Sequence, residues 1–136
     1  MNTQKKIVTS GKRKRAIAKA KISEGKGEVR INKESYQKLN TLDRLRIEEP
    51  LRIAKSILGE LKFDVEITVK GGGEKGQIES IRLALARAIS KFSDSPELTN
   101  AFLRYDRNLL IADVRRKESY KPGDSKARRK RQKSYR

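Results

Sequence analysis

The fold is decided by the stretch FDVEITVKGGGEKGQIESIRLALARAISKF, which runs from Phe63 to Phe92. Its first part, FDVEITV, alternates between apolar and polar side chains, and this alternation predicts a β-strand with one buried face. After the glycines the apolar residues recur every three or four positions, which predicts an amphipathic helix that opens near Gln77. A strand, a glycine loop and a helix therefore form the centre of the predicted fold. The apolar stripe of that helix comprises Ile78, Ile81, Leu85, Ile89 and Phe92.

Weaker patterns on the amino-terminal side extend this centre into a domain. Arg15–Ile22 alternates and predicts a strand with small inner residues, and turn material then leads to a second strand that contains Val29 and Ile31. We expect these two strands to pair as a hairpin. Glu48–Leu61 predicts a helix with Pro50 in its first turn.

Three further elements complete the predicted domain. Lys33–Leu39 predicts a short helix, and another helix is expected to begin at a cap near Ser93 or Ser95, with Pro96 in its first turn. The stretch LLIADVR, Leu109–Arg115, predicts the last strand. The sum is an α+β domain in which a small sheet is packed by two main helices.

The carboxyl-terminal end predicts an extended basic tail. Val114 is the last aliphatic residue of any size, and Pro122 with Gly123 interrupts regular structure. The last 22 residues contain eleven Lys or Arg and two Asp or Glu, so half of the net charge of +18 lies there. A segment with so much charge and so little apolar surface cannot fold alone. We therefore divide the chain into a globular domain, residues 1–115, and a tail, residues 116–136.

Composition limits the classes of function. The chain of 136 residues is 35% hydrophobic and 38% charged, which allows one modest core. A net charge of +18 predicts a polyanionic partner, and nucleic acid is the obvious one. A membrane is a poor fit, because the tail lacks large apolar residues and no apolar run is long enough to span a bilayer. No secretory signal is present at the amino terminus, so an intracellular protein is expected.

Two missing residue types argue against an enzyme. The chain contains no Cys and no His, which removes thiolate metal sites and the commonest general base. We therefore expect no catalytic site, no metal and no cofactor. The alternative is an enzyme acting on RNA or a nucleotide, with Glu48, Glu49 and Lys75 as candidate acid–base groups, but the two glutamates fit better as residues favoured by the dipole of a helix start. A third class is a generic basic packaging protein, which would bind duplex DNA and RNA equally.

The loop GGGEKG, Gly71–Gly76, has the spacing of the dinucleotide-binding fingerprint. The context of that fingerprint is missing, because too few residues follow to build further βα units and the candidate acid, Asp94, lies in a capping region. A nucleoside triphosphate loop is excluded, since Gln77 stands where its Lys must be. Two interpretations stay open. The loop either only turns the chain, or it forms a nest of backbone amides that binds an RNA phosphate together with the helix end.

A second basic cluster, GKRKRA, leads into the first predicted strand. Its cations, Lys12, Arg13, Lys14 and Arg15, fit a solvated surface run, a nuclear address or a direct RNA contact. With 4 Tyr, 3 Phe and no Trp, the chain offers few aromatic rings for base stacking, so recognition of phosphate and shape is favoured. Three cationic regions in one small chain favour the RNA interpretation.

Four stretches of the chain together resemble one protein family. They are GKRKRAIAKAKI, KGGGEKGQIESIRLALARAI, LLIADVRRKESYKPG and ARRKRQKSYR, and they cover nearly everything after the first ten residues. In this order they resemble the ninth protein of the small ribosomal subunit, in its archaeal form. The resemblance implies a ribosomal S-five second-domain-like fold with an extended basic tail. It also implies a structural, non-enzymatic role in translation, within the ribosome of the cytoplasm.

The resemblance further implies the partners of the chain. These are the rRNA of the small-subunit head, neighbouring head proteins, and the tRNA at the peptidyl site, which the tail approaches by threading through the rRNA. Arg136 is the implied tRNA contact, with Lys133 and Ser134 close behind. Bacterial members carry Lys where this chain has Tyr135, so a contact made by that Lys does not transfer. The rRNA-binding residues that the basic clusters, the glycine loop and the resemblance predict are Lys12, Arg13, Lys14, Arg15, Gly71, Gly72, Gly73, Lys75, Gln77, Arg115, Arg116, Lys121, Lys126, Arg128, Arg129, Lys130 and Arg131.

Overall fold

The structure is a computed structural model that describes residues 4–123, 126–129 and 133–135. This described part contains a five-stranded sheet and three α-helices, which confirms the predicted α+β class. Two short 3₁₀ helices accompany them, Tyr36–Lys38 and Arg107–Leu109. The strands are β1 Ile7–Arg13, β2 Ala16–Glu24, β3 Val29–Ile31, β4 Glu34–Ser35 and β5 Phe63–Lys70, and the helices are α1 Thr41–Leu58, α2 Glu74–Ser93 and α3 Pro96–Tyr105.

The sheet has the strand order β1-β2-β5-β3-β4, with β3 parallel to β5 and every other neighbouring pair antiparallel. The parallel pair needs a crossover connection, and α1 supplies it. Our prediction that β2 and β3 pair as a hairpin is wrong, because β5 lies between them. The turn after β2 bends towards β5, where the Asp64 carboxylate accepts the backbone N–H groups of Lys26, Gly27 and Glu28 at 2.9, 3.1 and 3.0 Å. The bond from Glu28 contributes most to lowering the pKa of Asp64.

The core lies between one face of the sheet and the helices. The alternation predicted in β2 and β5 is confirmed, since their inward residues are buried and the residues between them are exposed or half-exposed. Four residues of the predicted α2 stripe are buried, and the fifth, Phe92, meets Phe63 edge-on with 6.1 Å between ring centroids. Each buried Ile or Phe of this kind contributes about 1.5–3 kcal/mol. The opposite face of the sheet stays open.

The edge strand β1 is an element that the sequence patterns did not predict. It pairs antiparallel with β2 from Ile7 to Arg13 and packs against α2 on its inner side. The Thr9 Oγ1 donates to the Ala84 carbonyl at 2.9 Å, and Gly11 lies against the backbone of α2. Small and polar inward residues hide this strand from a search for apolar alternation.

Helix α1 begins well before its predicted start at Glu48. Its first residue is Thr41, and Pro50 is buried inside the helix rather than in the first turn. The prediction was wrong because Leu42 and Leu45 in the early turns are exposed and lie off the buried stripe, while Ile47 supplies an inward contact one turn before Leu51. Gly59 ends the helix with a φ of 79°, which a residue without Cβ adopts readily.

The other two helices follow the predictions more closely. Helix α2 begins at Glu74 with Gly73 as its cap, slightly before the predicted opening near Gln77. Helix α3 begins as predicted, because the Ser95 Oγ accepts the Leu98 N–H at 3.5 Å and Pro96 stands in the first turn.

Two predicted elements are wrong. Lys33–Leu39 is not a helix, because left-handed φ values at Asn32 and Lys33 turn the chain into the short strand β4 and the first 3₁₀ helix. Leu109–Arg115 is not a strand. Leu109 is buried at the end of the second 3₁₀ helix, and the carbonyl of Leu110 accepts Arg87 Nε at 2.9 Å instead of a strand partner.

Candidate nucleic-acid interface

The glycine loop shapes an open helix end. Gly71 and Gly72 have φ values of 78° and 65°, and a Cβ on Gly72 would stand 2.9 Å from the Ala16 Cβ in β2. Gly73 differs from both, because its backbone is extended at a φ of −96° and no atom would lie within 4 Å of its Cβ. The first helical bond joins the Gln77 N–H to the Gly73 carbonyl at 2.9 Å, so the amides before Gln77 have no carbonyl of the preceding turn to bind.

Two cationic segments that are distant in sequence meet the glycine loop at this helix end. The turn between β1 and β2, the glycine loop, and the start of the tail line one shallow cleft. Outward amides and the positive end of a helix dipole favour an anion there, and the surrounding cations add to that field. The lining residues are Arg13, Lys14, Arg15, Gly72, Gly73, Arg115, Arg116 and Lys117.

The largely buried side chain of Arg13 connects the segments of this cleft through ion pairs. Its guanidinium contacts Glu79 at 2.7 Å and Asp113 at 3.3 Å, and only 14% of its side chain is exposed. Asp113 also accepts the Arg115 Nη2 at 2.8 Å, and this side-chain bond contributes most to lowering the pKa of Asp113 to about 2. Arg13 and Asp113 therefore fix the start of the tail beside β1 and α2.

The remaining cations of the cleft face solvent. Lys14, Arg15 and Arg116 are exposed and form no ion pair with any residue in the described ranges. The Lys117 ammonium lies 4.5 Å from the centroid of the Tyr120 ring. Lys117 was not among the predicted site residues, although the run of Arg115, Arg116 and Lys117 was a signal that could have found it.

Lys75 and Gln77 hold the glycine loop in place. The Lys75 ammonium contacts the carboxylate of Asp43, which is buried, at 3.1 Å, while most of the Lys75 side chain stays exposed. Gln77 Nε2 donates to the Gly71 carbonyl at 3.0 Å. Each side chain therefore makes a polar contact with the protein, and neither is among the residues that line the cleft.

The tail leaves the domain without regular secondary structure over residues 112–121. Lys121, Lys126 and Lys133 are exposed, and Ser134 is exposed beside Lys133. Arg128 forms an ion pair with Glu118 at 2.8 Å, and the Arg129 N–H closes a turn onto the Lys126 carbonyl at 3.2 Å. The predicted contacts Lys130, Arg131 and Arg136 lie outside the described residues.

Glu48 and Glu49, the candidate acid–base groups of an enzyme, both form ion pairs with arginines. Glu49 accepts Arg82 Nε at 2.9 Å, and Glu48 contacts Arg52 at 3.0 Å. Arg82 also reaches Asp106 at 3.2 Å. Glu49 thus joins α1 to α2, whereas Glu48 forms an ion pair along the surface of α1.

Within the part of the chain that the structure describes, no helix has both the length and the apolar character needed to cross a bilayer.

Comparison with known proteins shows which family the chain matches. Residues 11–136 match the family described as ribosomal protein S9/S16. The chain is 44% identical over 135 residues to the small ribosomal subunit protein uS9 of Methanococcus vannielii, covering 97% of this chain and 99% of the relative. It is 45% identical over 130 residues to uS9 of Halobacterium salinarum, covering 94% and 97%. The uS9 protein of Methanothrix thermoacetophila is 43% identical over 133 residues, covering 97% and 99%.

Proposed function

The chain belongs to the ribosomal protein S9/S16 family, and from that membership we propose that it docks on the rRNA of the small-subunit head and reaches the peptidyl-site tRNA with its tail. Its role is that of a structural constituent of the small subunit in the cytoplasm, beside neighbouring head proteins, and not that of an enzyme. The observation that carries the docking step is the meeting of two cationic segments with the glycine loop at the open end of α2. The likeness to archaeal uS9 proteins over nearly the whole chain supports the same role.

The cleft would hold RNA by its backbone. Amides at the start of α2 point at an incoming phosphate oxygen, and the absence of a side chain at Gly73 lets the backbone of the RNA come close. Arg15 and Arg116 can grip a phosphate with two hydrogen bonds each, while Lys14 and Lys117 act as point charges. These contacts set position and affinity and carry no base sequence, so the shape of the folded rRNA supplies the specificity.

The tail, residues 116–136, would become ordered as it binds. Its cations repel one another in the free chain, and each one that docks on a phosphate releases condensed counterions. Folding and binding of this segment are then a single event. Because the Arg13–Asp113 pair fixes where the tail starts, the domain sets the direction in which the tail leaves.

Sedimentation tests the assignment most directly. A tagged copy of the chain, expressed in an archaeal host, should travel with small ribosomal subunits and stay with them through a salt wash that removes loosely bound proteins. A copy found only in the soluble fraction would overturn the proposal. A matched chain in which Lys14, Arg15 and Arg116 are replaced by Gln should be washed off at lower salt, because three phosphate contacts are lost.

The affinity of the tail for RNA should depend strongly on salt. If about six cations of a synthetic peptide covering residues 116–136 contact phosphates, log affinity should fall against log salt with a slope of about four to five, from about 0.7–0.9 per contact. Fluorescence anisotropy with a fragment of head rRNA at several salt concentrations measures the slope. A flat response would contradict the proposed mechanism, and a peptide with every Lys and Arg replaced by Gln is the control.

Removing residues 133–136 should leave subunit assembly intact and speed the release of peptidyl-site tRNA. Two solvent-exposed charge pairs of about 0.2–1 kcal/mol each can supply a loss of about 0.7–1.4 kcal/mol, which predicts roughly three- to tenfold faster dissociation. Filter binding of labelled tRNA to purified variant subunits measures this rate. A control tail of native length with Gly-Ser-Gly-Ser at these positions shows whether the effect comes from the lost side chains or from the shorter tail. Unchanged dissociation in both variants would remove tRNA contact from the proposal.

A further inference from the structure

The face of the sheet that points away from the helices is open and concave. Outward residues of β1, β2 and β5 line a shallow trough together with the residues that flank the glycine loop. Ile17 and Val8 are 43% and 64% exposed there, although both are aliphatic. In an antiparallel sheet one face can remain in water, so openness alone assigns no partner. The trough residues are Val8, Arg15, Ile17, Lys19, Lys21, Glu66, Thr68, Lys70 and Gly71.

The charge of this trough is one-sided. Its lining includes four cations, Arg15, Lys19, Lys21 and Lys70, against the single acid Glu66. In the register of β2 with β5, Lys19 stands opposite Thr68 and Lys70 stands opposite Ile17, so neither lysine has a carboxylate across from it, whereas Lys21 stands opposite Glu66. None of the four cations forms an ion pair with a residue in the described ranges. Since these cations form no ion pair within the described residues, an external anion can bind them.

The spacing of these cations suits a polymer rather than a small ion. Outward residues of one strand repeat at about 6.6–6.8 Å, so the row from Arg15 to Lys21 spans roughly 20 Å. A small anion would contact one lysine at a time and gain little at an exposed surface. A nucleic-acid backbone carries a charge on every nucleotide and can contact several lysines of the row at once.

The trough is continuous with the cleft at the end of α2. Arg15 lines both concavities, and Gly71 in the trough adjoins Gly72 in the cleft. RNA seated in the cleft would therefore pass directly over the open sheet as it continues. An acidic protein partner would fit the lysines but would gain nothing from this continuity, so RNA is the occupant that the geometry favours.

We propose that the open face of β2 and β5 is a second rRNA-backbone site, in which Lys19, Lys21 and Lys70 contact phosphates that follow the one held in the cleft. This site rests on the proposed function, that the chain docks on head rRNA, and adds to it a surface outside the glycine loop and the tail. Contact is with phosphates and riboses, because the trough has no aromatic ring on which a base could stack.

The test removes two lysines from the middle of β2 in the full chain, as Lys19→Gln with Lys21→Gln. Both side chains are exposed, so the domain should keep its thermal stability. Affinity for a head rRNA fragment should fall about three- to tenfold, and the slope of log affinity against log salt should decrease by about 1.4–1.8. A matched variant, Lys38→Gln with Lys55→Gln, removes the same charge from exposed positions elsewhere and should keep the native slope.

Each other outcome decides against one specific claim. A native chain that does not bind head rRNA overturns the proposed function itself. Binding by the native chain with equal slopes in the two lysine variants overturns only the second site. A third outcome is unchanged RNA affinity together with the loss of a neighbouring protein from purified variant subunits. It would overturn the RNA assignment and show that the trough binds a protein.

Discussion

Replacing Gly73 with aspartate should weaken binding to head rRNA by about ten- to a hundredfold without lowering the stability of the domain. Gly73 is the cap of α2 and has an ordinary extended backbone with open space around its Cβ position, so a side chain fits there. Aspartate is among the best capping residues, because its carboxylate accepts the amides of the first turn. In this variant the carboxylate would occupy the amides that otherwise bind phosphate. It would also repel the RNA backbone.

The size of the expected loss follows from the contacts removed. Hydrogen bonds to a charged group contribute about 1.5–3 kcal/mol, and each 1.4 kcal/mol is a factor of ten in affinity. Stability should move in the other direction by a few tenths of a kcal/mol, since Gly is a slightly poorer cap than Asp. Anisotropy with a head rRNA fragment and thermal unfolding of the same preparation measure the two quantities side by side.

Serine at position 73 is the matched control for charge. Gly73→Ser adds a capping oxygen without a charge and should lose less affinity than the aspartate variant. Gly72→Val is the contrasting variant, because its Cβ would meet Ala16 and its φ is left-handed, so it should lower the melting temperature as well as RNA binding. Native affinity in the Gly73→Asp variant would show that the helix end does not hold phosphate.

The patterns that depend on local periodicity predicted their elements well. The alternation in β5 and the stripe in α2 each need only one buried face, so short stretches of sequence contain the whole signal. The edge strand β1 was missed because its inward positions, Thr9 and Gly11, are polar or lack a side chain. The last predicted strand failed for the opposite reason, since apolar residues at Leu109 and Leu110 serve to cover the core rather than to pair.

The cleft itself depends on tertiary contacts that no single stretch contains. Each of its cationic segments was predicted separately as an RNA contact, and those residue assignments stay predictions. Their meeting point depends on β1 pairing with β2 and on Asp113 binding both Arg13 and Arg115. The sequence alone does not distinguish Gly72 from Gly73. The structure distinguishes them, because Gly72 packs against Ala16 with no room for a Cβ, whereas Gly73 has open space in which a ligand could lie.

The second large effect is expected at Gly11, where alanine should destabilise the domain by about 1–3 kcal/mol or more. A Cβ at this position would stand 2.7 Å from the Ala84 amide nitrogen and would also collide with the Ser80 carbonyl. Both atoms belong to the backbone of α2, so relief requires the whole helix to shift away from β1. A domain of this size has only about 5–15 kcal/mol of stability, which makes the loss a large share of the total.

Urea unfolding of the full chain measures this effect, with Ser10→Ala as the control. Ser10 is the neighbour of Gly11 in β1 and its side chain is exposed on the opposite face, so its loss should change stability by less than about 0.5 kcal/mol. The Gly11 variant should also bind head rRNA more weakly, because β1 leads into the turn that carries Lys14 and Arg15. An added RNA fragment should recover part of the lost stability, since a ligand that binds only the folded chain shifts the equilibrium towards it. Equal unfolding midpoints for the two variants would mean that β1 does not pack on α2 as closely as the structure shows.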